Sequence, residues 1–444
     1  MIRTTDNNGG ESINIEDNSS IDDLSCIANK SLLDLQNENP DFLVFPQSFG
    51  EYHDDVEKSN IFSLKDDKLT TYNLMGFIGR NSTQLTISSR FTKADDKDYF
   101  LHHMLQRVFS INLLKFDQTR DSENIWDFLL YLFPYYLKRA YSQGIYKAYK
   151  EIEYNDSNVK GKIDVNRHIR KNIPFTGKIA YTRREYRHDN NLTQLIRHTI
   201  EHIRTHRFGS GILTNDSEFR DIVSKFIHVT NKTFSNNSRQ KIISANLNPI
   251  SHPYFTEYKA LQKICLKILT YNKLTFGKQK DKTYGLLFDG AWLWEEYINT
   301  IIKSSFMHPE NKTGKNRFHL FEVQNKSFQS IFPDFISKDK PKIVGDAKYI
   351  PLDRQKIYSA NSEKALSIYY KTIAYMYRFT SSYGFLVFPN HKVNSLEIYK
   401  IKETGGTLKK IGLAIPQTSD DFEDFQKSMN ENEAKFDSEL KVTN

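Results

Sequence analysis

Two short apolar segments separated by a polar turn are the feature that most constrains the fold of this chain. The first covers residues 332–336 and the second covers residues 342–349. Antiparallel strands joined by so short a connection bring residues near their ends within reach of one another. The sequence therefore predicts a β-hairpin that places Asp334 of the first strand close to Asp346 and Lys348 of the second.

Two carboxylates and one ammonium group at a single point on a sheet suit one kind of chemistry. Mg²⁺ is commonly held by one or two carboxylates together with water and a substrate phosphate. A nearby lysine can orient the attacking water and offset the charge that develops around phosphorus. Asp334, Asp346 and Lys348 are therefore candidates for a metal-dependent phosphodiesterase site. The alternative is an ordinary hairpin edge with solvated charges.

The spacing of Asp346 and Lys348 is not informative by itself. An acid two residues before a lysine also occurs elsewhere, for example at Glu257–Lys259 and Glu433–Lys435. Only Asp346–Lys348 combines a β-branched lead-in, a following tyrosine and a Pro-Asp pair one strand earlier. This combination favours a site over a coincidence of charges.

Segments on both sides of the hairpin favour an α/β core. Residues 286–306 have apolar residues at three- and four-residue steps, which is typical of an amphipathic helix. Glu295 lies among these apolar residues, where a carboxylate needs a partner such as a lysine or a metal-bound water. Glu296 is the alternative candidate for this role. In the simpler interpretation, both glutamates are surface charges. Residues 365–377 read as a second helix, and residues 383–389 read as a buried strand.

The predicted order of helix, acid-bearing strands, helix and strand is that of a restriction-endonuclease-like core. The hairpin also has the form of the PD-(D/E)xK nuclease motif. Over about residues 40–415 the chain resembles the McrC family, the nuclease subunits of McrBC-type and LlaJI-type restriction systems. The segments that carry this resemblance are Gly76–Gly79, Leu85–Ile87 with Arg90-Phe91, Val159–Asp164, Asp189–Leu192, Leu293–Glu295 with Tyr297-Ile298, Pro333-Asp334, Asp346–Tyr349, Ala374-Tyr375 and Phe385–Pro389.

The resemblance implies a role for each residue of the candidate site. Asp334 and Asp346 would ligate Mg²⁺, with Mn²⁺ as an alternative ion, and the backbone carbonyl of Ala347 would add a ligand. Lys348 would position and activate water, and Glu295 would hold a metal-bound water. We therefore expect all four catalytic side chains to follow residue 280.

Other residues are candidates for contact with DNA or with a partner protein. The resemblance implies β-fingers that project from the N-terminal half into the pore of a partner AAA+ GTPase ring. Tyrosines that interleave with cations at residues 146–190 also suit nucleic acid. Both roles, and that of an ordinary solvated hairpin, stay open for each residue. The candidates are Arg80, Asn81, Arg170, Lys171, Arg183, Arg184, Arg187 and Lys371, the last standing where the family usually has a glutamine.

Charge and composition divide the chain into four predicted regions. Residues 1–40 have a net formal charge of −6 and residues 417–444 of −5, so that +19 remains on residues 41–416. A basic body suits a polyanion, although lysine also accumulates in the proteins of AT-rich genomes. We expect a disordered acidic tail at 1–40 and a second acidic tail at 417–444. Between them we expect a partner-docking and DNA-contact region at 41–250 and a nuclease domain at 251–416.

The predicted fold class is an α+β N-terminal region, β-rich with helices, followed by an α/β restriction-endonuclease-like domain. No apolar run reaches the roughly 18 residues of a membrane span, and the acidic N-terminus is unlike a signal peptide. Only two cysteines occur, Cys26 and Cys265, so no disulfide framework is expected. These features predict a cytoplasmic protein with no membrane partner.

The sequence also lacks a nucleotide-binding motor. The segment most like a P-loop, at residues 309–316, has Pro309 in place of the first glycine and Asn316 in place of the serine or threonine. If nucleotide hydrolysis drives cleavage, another chain must supply the motor.

The sequence thus predicts the Mg²⁺-dependent DNA endonuclease subunit of an NTP-driven restriction or anti-phage defence complex. Its partners would be double-stranded DNA and a McrB-like AAA+ GTPase or ATPase ring whose hydrolysis it stimulates. One alternative is a degenerate nuclease domain that only docks to and activates the motor. The other is a self-sufficient DNA-repair or RNA nuclease with the same core.

Overall fold

The computed structural model divides the chain into two compact units. Residues 1–120 and 275–444 form unit 1, and residues 121–274 form unit 2. Both units mix helices with sheets, in agreement with the predicted α+β class. The structure describes residues 2–12, 18–39, 42–45, 60–65, 68–81, 83–92, 98–109, 124–206, 209–214, 217–270, 283–309, 318–352, 362–391, 394–403 and 405–441.

The secondary-structure elements are numbered here in chain order. The strands are β1 (Ile2–Thr5), β2 (Glu11–Ser12), β3 (Phe42–Phe45), β4 (Phe62–Lys65), β5 (Lys68–Thr71), β6 (Leu74–Arg80), β7 (Thr83–Ser88), β8 (Ala148–Asp156), β9 (Lys162–Ile163), β10 (Ile179–Arg187), β11 (Thr283–Asp289), β12 (Phe306–Met307), β13 (Phe318–Val323), β14 (Lys326–Ile331), β15 (Phe335–Ser337), β16 (Ile343–Ala347), β17 (Tyr383–Asn390), β18 (Ser395–Lys400) and β19 (Thr407–Ala414). The helices are α1 (Asn18–Ile27), α2 (Leu32–Glu38), α3 (Tyr99–Phe109), α4 (Asn124–Tyr141), α5 (Val165–Asn172), α6 (Asn191–Thr205), α7 (Gly209–Thr214), α8 (Ser217–Thr230), α9 (Arg239–Ala245), α10 (Glu257–Thr270), α11 (Gly290–Ile302), α12 (Ser362–Arg378) and α13 (Phe422–Lys441).

Unit 1 contains a five-stranded sheet in the order β1-β7-β6-β11-β3 and a six-stranded sheet in the order β12-β15-β16-β17-β19-β18. Two smaller sheets, β2-β5-β4 and β13-β14, accompany them. Within the described ranges, no helix combines the length and the apolar character needed to cross a lipid bilayer.

Strand β11 completes the five-stranded sheet by pairing antiparallel with β6 and parallel with β3. Gly76 of β6 has a φ of 129°, and a Cβ atom at this position would lie 2.1 Å from the carbonyl oxygen of Leu286. The prediction that a helix begins at Leu286 is therefore wrong. A buried apolar run suits a strand as well as a helix, and the helix α11 begins only after Asp289, whose side chain caps it.

The acidic N-terminal residues are folded where the structure describes them, so the predicted disordered tail is wrong. β1 pairs with β7, and α1 and α2 bury Leu24, Ile27, Leu32 and Leu35 in the core of unit 1. Within each helix these apolar residues are three positions apart, and each short helix therefore has one face that packs. The acidic composition indicated disorder, because composition alone carries no information on the spacing of the apolar residues.

The predicted boundary at residue 250 lies inside unit 2. Helix α10, which follows it, packs against α4 and α6 of the same unit. Strand β11 lies within the residue range of the predicted nuclease domain. It belongs, however, to a sheet with strands from the first 90 residues. Pairing between segments distant in sequence thus sets the units, and composition along the chain does not reveal it.

Unit 2 combines helices α4–α10 with a small sheet in the order β8-β10-β9. Helix α6 begins at a capping box, in which the Asn190 side chain accepts the N–H of Thr193 and the Thr193 hydroxyl accepts the N–H of Asn190. This reciprocal pair satisfies two backbone donors at the start of the helix. The helix predicted to follow Asp189–Leu192 is confirmed.

The six-stranded sheet positions the candidate site. β15 and β16 are antiparallel, whereas β16, β17 and β19 run parallel to one another. Helix α12 packs on β16 and β17, and α11 packs on β16. β17 is buried for most of its length, as expected of a strand within a parallel sheet. The predicted hairpin, second helix and buried strand are therefore confirmed as elements.

The C-terminal acidic segment is also not a tail, since α13 packs against β19, α3 and α11. Phe425, Met429 and Phe436 are buried on one side of this helix. Glu433 lies on the same side with 4% of its surface exposed. The exposed acidic residues of α13 gave this segment the composition of a tail. Its apolar residues at helical spacing make it part of the core.

Three donors satisfy the buried Glu433 carboxylate. It accepts a hydrogen bond from the Tyr297 hydroxyl at 2.6 Å, lies 2.8 Å from His103 Nε2 and pairs with Arg107. Burial alone would raise the pKa of the Glu433 carboxyl, but these hydrogen bonds outweigh it and lower the pKa. A carboxyl with a lowered folded pKa adds stability above its unfolded pKa, and this stability is lost as the pH falls through the folded pKa.

We expect Glu433→Ala to lower the free energy of unfolding at neutral pH by about 3–5 kcal/mol, the usual cost of removing one partner from a buried ion pair. The difference from wild type should begin to shrink below about pH 4, near the ordinary pKa of a glutamate, and should go on shrinking until the pH falls through the lowered pKa of the folded carboxyl. Denaturant unfolding of both proteins across this pH range measures the effect. Glu431→Ala, an exposed change on the same helix, is the control, and equal losses in both variants would contradict the role of Glu433.

Candidate functional site

The pairing of β15 with β16 brings two acids together. Phe335 pairs with Gly345, so Asp334, directly before β15, lies opposite Asp346 of β16. The backbone N–H of Ala347 donates a hydrogen bond to Asp334 Oδ2 at 2.8 Å. The hairpin and the proximity of its acids, both predicted from the sequence, are therefore confirmed.

Lys348 completes this group. Its Nζ forms an ion pair with Asp346 Oδ2 and lies 3.4 Å from the carbonyl oxygen of Ala347. Burial would lower the pKa of Lys348, but the carboxylates of Asp346 and Asp334 outweigh it and raise the pKa above its usual range. The ammonium group therefore stays charged throughout the physiological pH range.

Asp334 experiences an excess of negative charge. Burial raises the pKa of its carboxyl well above the usual range, and repulsion from Asp346 and Glu295 raises it further, although Lys348 opposes them. Two carboxylates that face each other favour the binding of an additional cation, because their repulsion is then relieved. The electrostatics of the pair thus favour a cation beyond Lys348.

Glu295 and Glu296 both reach this region from α11, and they are 15% and 12% exposed. Glu295 adds to the repulsion at Asp334, which places it near the acid pair as predicted. His308 lies between the helix and the pair, with Nε2 3.5 Å from Glu295 Oε1 and 3.9 Å from Glu296 Oε1.

Sequence reasoning missed His308. A single histidine after the two-residue strand β12 has no spacing pattern to distinguish it. Only the pairing of β12 with β15, in which Met307 faces Ile336, brings His308 beside the site. That register could not be read from the sequence.

Close packing beneath the site holds β16 in place. The Cβ of any residue other than glycine at Gly345 would lie 2.0 Å from the ring of Phe385 on β17. The backbone N–H of Lys348 donates to the carbonyl of Val387 at 2.8 Å, and Trp294 Nε1 donates to the same carbonyl at 3.5 Å. The hairpin that carries the candidate site is therefore fixed to both β17 and α11.

Residues from the N-terminal part of unit 1 contact Tyr349, the residue that follows Lys348. The Tyr349 hydroxyl shares a hydrogen bond of 2.7 Å with Ser89 Oγ, and the Arg90 guanidinium lies 4.9 Å from the centre of the Tyr349 ring. Burial raises the pKa of Tyr349 well above its usual range. The segment after β7, which resembles the family at Arg90-Phe91, thus contacts the residue that follows Lys348.

Tyr375 of α12 lies close to the acids. It is 8% exposed, and burial followed by repulsion from Asp346 and Asp334 raises its pKa to about 12. Lys371, one turn earlier on the same helix, is exposed to solvent. The contact of Lys371 with DNA remains a prediction.

The turn between β6 and β7 differs from the projecting finger expected there. Asn81 has a φ of 50°, and its Nδ2 donates to Asp23 Oδ1 of α1 at 2.6 Å. The hydroxyl of Thr83 donates to the other oxygen of Asp23 at 2.8 Å. Asn81 and the neighbouring Arg80 are therefore half-buried against α1.

The other predicted contact residues lie in unit 2. Arg170 and Lys171 are exposed in the last turn of α5. On β10, Glu185 lies 3.7 Å from Arg183 and 2.6 Å from Arg187, and Arg184 lies 4.8 Å from the centre of the Tyr149 ring. These arginines alternate with tyrosine and glutamate along the sheet, and their predicted roles stay predictions.

The acid pair can be compared with the donors that a metal ion requires. In the part of the chain that the structure describes, no three histidine, cysteine, aspartate or glutamate side chains surround a common metal position. The set available is smaller, with two carboxylates and the backbone carbonyl of Ala347. Mg²⁺ accepts such a set, because it retains several waters and uses substrate phosphate as a further ligand.

A family model described as the McrBC 5-methylcytosine restriction system component matches residues 69–389. This range covers more than half of the chain and includes Asp334, Asp346 and Lys348. The chain belongs to the McrBC family. A comparison with curated proteins gives no match.

Two solved structures of McrBC proteins from Thermococcus gammatolerans are similar to the chain. One is a refined half-complex from a tetradecameric assembly of McrB AAA+ hexamers with bound McrC, with 17% identity, a TM-score of 0.37 and coverage of 90% of this chain and 94% of that chain. The other is a cryo-EM structure of the McrBC complex, with 16% identity and a TM-score of 0.29. The match covers 68% of this chain and 87% of that chain. These TM-scores are too low to support conclusions about the architecture of this McrBC family member.

Proposed function

We propose that this chain is the Mg²⁺-dependent DNA endonuclease subunit of a McrBC-like restriction or anti-phage defence complex. The observation that supports this most is the pairing of Asp334 with Asp346 beside the charged Lys348. Membership of the McrBC family adds the biological setting. The activity, the metal and the DNA substrate are inferred from this chemistry and this membership.

Asp334, Asp346 and the carbonyl of Ala347 would hold Mg²⁺ or Mn²⁺. The bound ion would supply Lewis acidity toward the scissile phosphate and make water a better nucleophile. The carboxylates supply the anionic oxygens that hard cations prefer. Fixing them on two paired strands keeps the donors in place before substrate arrives.

Lys348 would act as a hydrogen-bond donor. The carboxylates of Asp346 and Asp334 raise its pKa, so Nζ carries its proton before any ion binds. It can donate hydrogen bonds to the attacking water and to a phosphate oxygen, where it offsets the negative charge of the transition state. This differs from the broader role of activating water that the resemblance implies.

Glu295 would orient a water molecule from the α11 side of the site. Its carboxylate lies near Asp334, as the repulsion between them indicates, and α11 packs on β16. A carboxylate at this position accepts hydrogen bonds from water and so aligns the oxygen lone pairs for attack. Glu295 is the better candidate than Glu296, because its charge is among the largest contributions to the repulsion at Asp334.

A partner would supply the motor, since the chain contains no P-loop sequence. One of the Thermococcus gammatolerans structures contains McrB AAA+ hexamers with bound McrC. By analogy, we propose that this chain docks to a McrB-like AAA+ ring and stimulates its GTP or ATP hydrolysis. Cleavage assays with and without that ring separate this function from an inactive activator and from a self-sufficient nuclease.

The two units differ in charge. Unit 2 has 25 lysines and arginines against 14 acids, whereas unit 1 has 37 against 40. The basic charge inferred for residues 41–416 therefore belongs mainly to unit 2, because the acidic ends are folded into unit 1. We propose that unit 2 supplies most of the non-specific attraction to a nucleic acid.

DNA affinity should fall steeply as salt rises, with a log–log slope of roughly −0.9 per phosphate neutralised. Fluorescence anisotropy of a labelled duplex, measured with the full chain from low to physiological salt, gives this slope. Replacing Arg170 and Lys171 with alanine should make the slope shallower. Replacing the exposed Lys340 of unit 1 with alanine should leave the slope unchanged. A salt-independent affinity would contradict the electrostatic account.

A further inference from the structure

His308 connects the two sides of the candidate site. Its Nδ1 lies 2.7 Å from the carbonyl oxygen of Asp334. Since a carbonyl only accepts, Nδ1 is the donor and carries a hydrogen atom. The opposite nitrogen, Nε2, faces Glu295 at 3.5 Å and Glu296 at 3.9 Å. One ring therefore contacts the backbone of an acid on the hairpin and the carboxylates of α11.

The ring is held rigidly in this position. The side chain is 8% exposed, and its ring centre lies 5.4 Å from that of Phe335. Phe335 in turn stacks on Phe385 at 6.2 Å. The pairing of β12 with β15 places the backbone of this segment directly beside the hairpin.

We propose that His308 is a positioning residue that holds the backbone of Asp334, and with it the Asp334 carboxylate, in place beside Asp346. This inference rests on the proposed nuclease function and assigns a residue that neither the motif nor the spacing indicates. Asp334 is the residue directly before β15. Its carbonyl and its carboxylate belong to the same residue, so a shift of the backbone there also moves the carboxylate. A hydrogen bond to that carbonyl limits rotation of the backbone and holds the carboxylate toward Asp346.

The hydrogen bond from His308 acts through the Asp334 carboxylate, which is one of the proposed metal ligands. Loss of a residue that orients metal ligands commonly costs about 10–100-fold in metal affinity or activity. His308 should therefore affect both metal affinity and turnover, with little effect on DNA affinity.

Three substitutions separate the contacts of His308. His308→Phe keeps an aromatic ring against Phe335 and removes both polar contacts. His308→Asn can keep a donor at the place of Nδ1, and His308→Gln can keep one nearer the place of Nε2. His319→Phe, the same change in a half-buried histidine of β13, is the matched control.

The first measurement is Mn²⁺ binding to the full chain by titration calorimetry, which needs neither partner nor DNA. We expect His308→Phe to weaken Mn²⁺ binding by about 10-fold or more, and His308→Asn to recover part of the loss because it restores the bond to Asp334. His319→Phe should bind as wild type does. A folded His308→Phe with wild-type affinity overturns the inference, and if this variant does not fold, the Asn and Gln variants are compared instead.

The second measurement is DNA cleavage by the full chain with its partner, at saturating metal. His308→Phe should lower kcat by about 10–100-fold and leave KM for DNA within twofold of wild type. In an Asp334→Asn background it should have a much smaller effect, because the carboxylate that it positions is already lost. Full additivity of the two changes overturns the inference.

Asp346→Asn is measured beside these variants to keep two failures apart. If Asp346→Asn is inactive and His308→Phe is fully active, only the role of His308 is wrong. If Asp346→Asn cuts as well as wild type, the proposed function fails, and the inference fails with it.

Discussion

Asp346→Asn is expected to reduce Mg²⁺-dependent DNA cleavage by at least roughly 10²–10³-fold, the loss typical of removing one electrostatic contributor to a phosphoryl or acyl transition state. An amide has nearly the same shape as the carboxylate but supplies no anionic charge to a metal ion. It also removes the ion pair that holds Lys348. The single-turnover cleavage rate at saturating Mg²⁺ measures the effect.

Asp339→Asn is the matched control, because Asp339 is an exposed acid in the turn of the same hairpin. It should cut at the wild-type rate. Binding to the partner ring should be unchanged in both variants, since neither position is a candidate for docking. Wild-type cleavage by Asp346→Asn would refute the assignment of the site.

Lys348→Ala is expected to lose cleavage by roughly 10²–10³-fold and to retain stimulation of the partner's nucleotide hydrolysis. The lysine supplies a permanent positive charge, because Asp346 and Asp334 raise its pKa. Removing it leaves two facing carboxylates with less compensation. Cleavage and partner NTP hydrolysis, measured in the same reaction mixture, report the two activities separately.

Lys340→Ala, at an exposed lysine of the same hairpin, controls for the loss of a charge. Lys348→Arg should recover part of the activity, since it restores the charge but not the shape of the ammonium group. If Lys348→Ala is folded and cuts normally, the lysine has no chemical role. If it is folded and also fails to stimulate the ring, the separation of docking from catalysis is wrong.

The proximity of the two acids and the lysine was predictable from the sequence because it is local. Asp334, Asp346 and Lys348 lie on two neighbouring strands joined by a short turn, so their proximity needs only the pairing of adjacent segments. Glu295 was predictable for a similar reason, since its helix is apolar on the face that packs on β16. Such features depend on spacing along the chain.

The parts that sequence reasoning missed depend on contacts between distant segments. Strand β11 pairs with β6 and β3, His308 reaches the site through β12, and Tyr349 contacts Ser89 and Arg90. An acidic composition at both ends concealed the apolar faces of α1 and α13. None of these contacts has a signature within its own segment.

The units also determine which fragments are worth making. A fragment that ends near residue 250 would lose β11 from the five-stranded sheet and α10 from the contacts with α4 and α6. Both cores would then expose apolar surface to water. Activities are therefore better separated by point substitutions in the full chain than by truncation.

The most direct test of the proposed function is cleavage of a double-stranded plasmid by the full chain together with its cognate AAA+ partner and nucleotide. We predict linear products in Mg²⁺ or Mn²⁺, none in excess EDTA, and none when Asp346→Asn replaces the wild-type chain. Cleavage that persists in EDTA, or a fully assembled and nucleotide-hydrolysing complex that leaves the plasmid intact in both metals, would contradict a metal-dependent nuclease at this site.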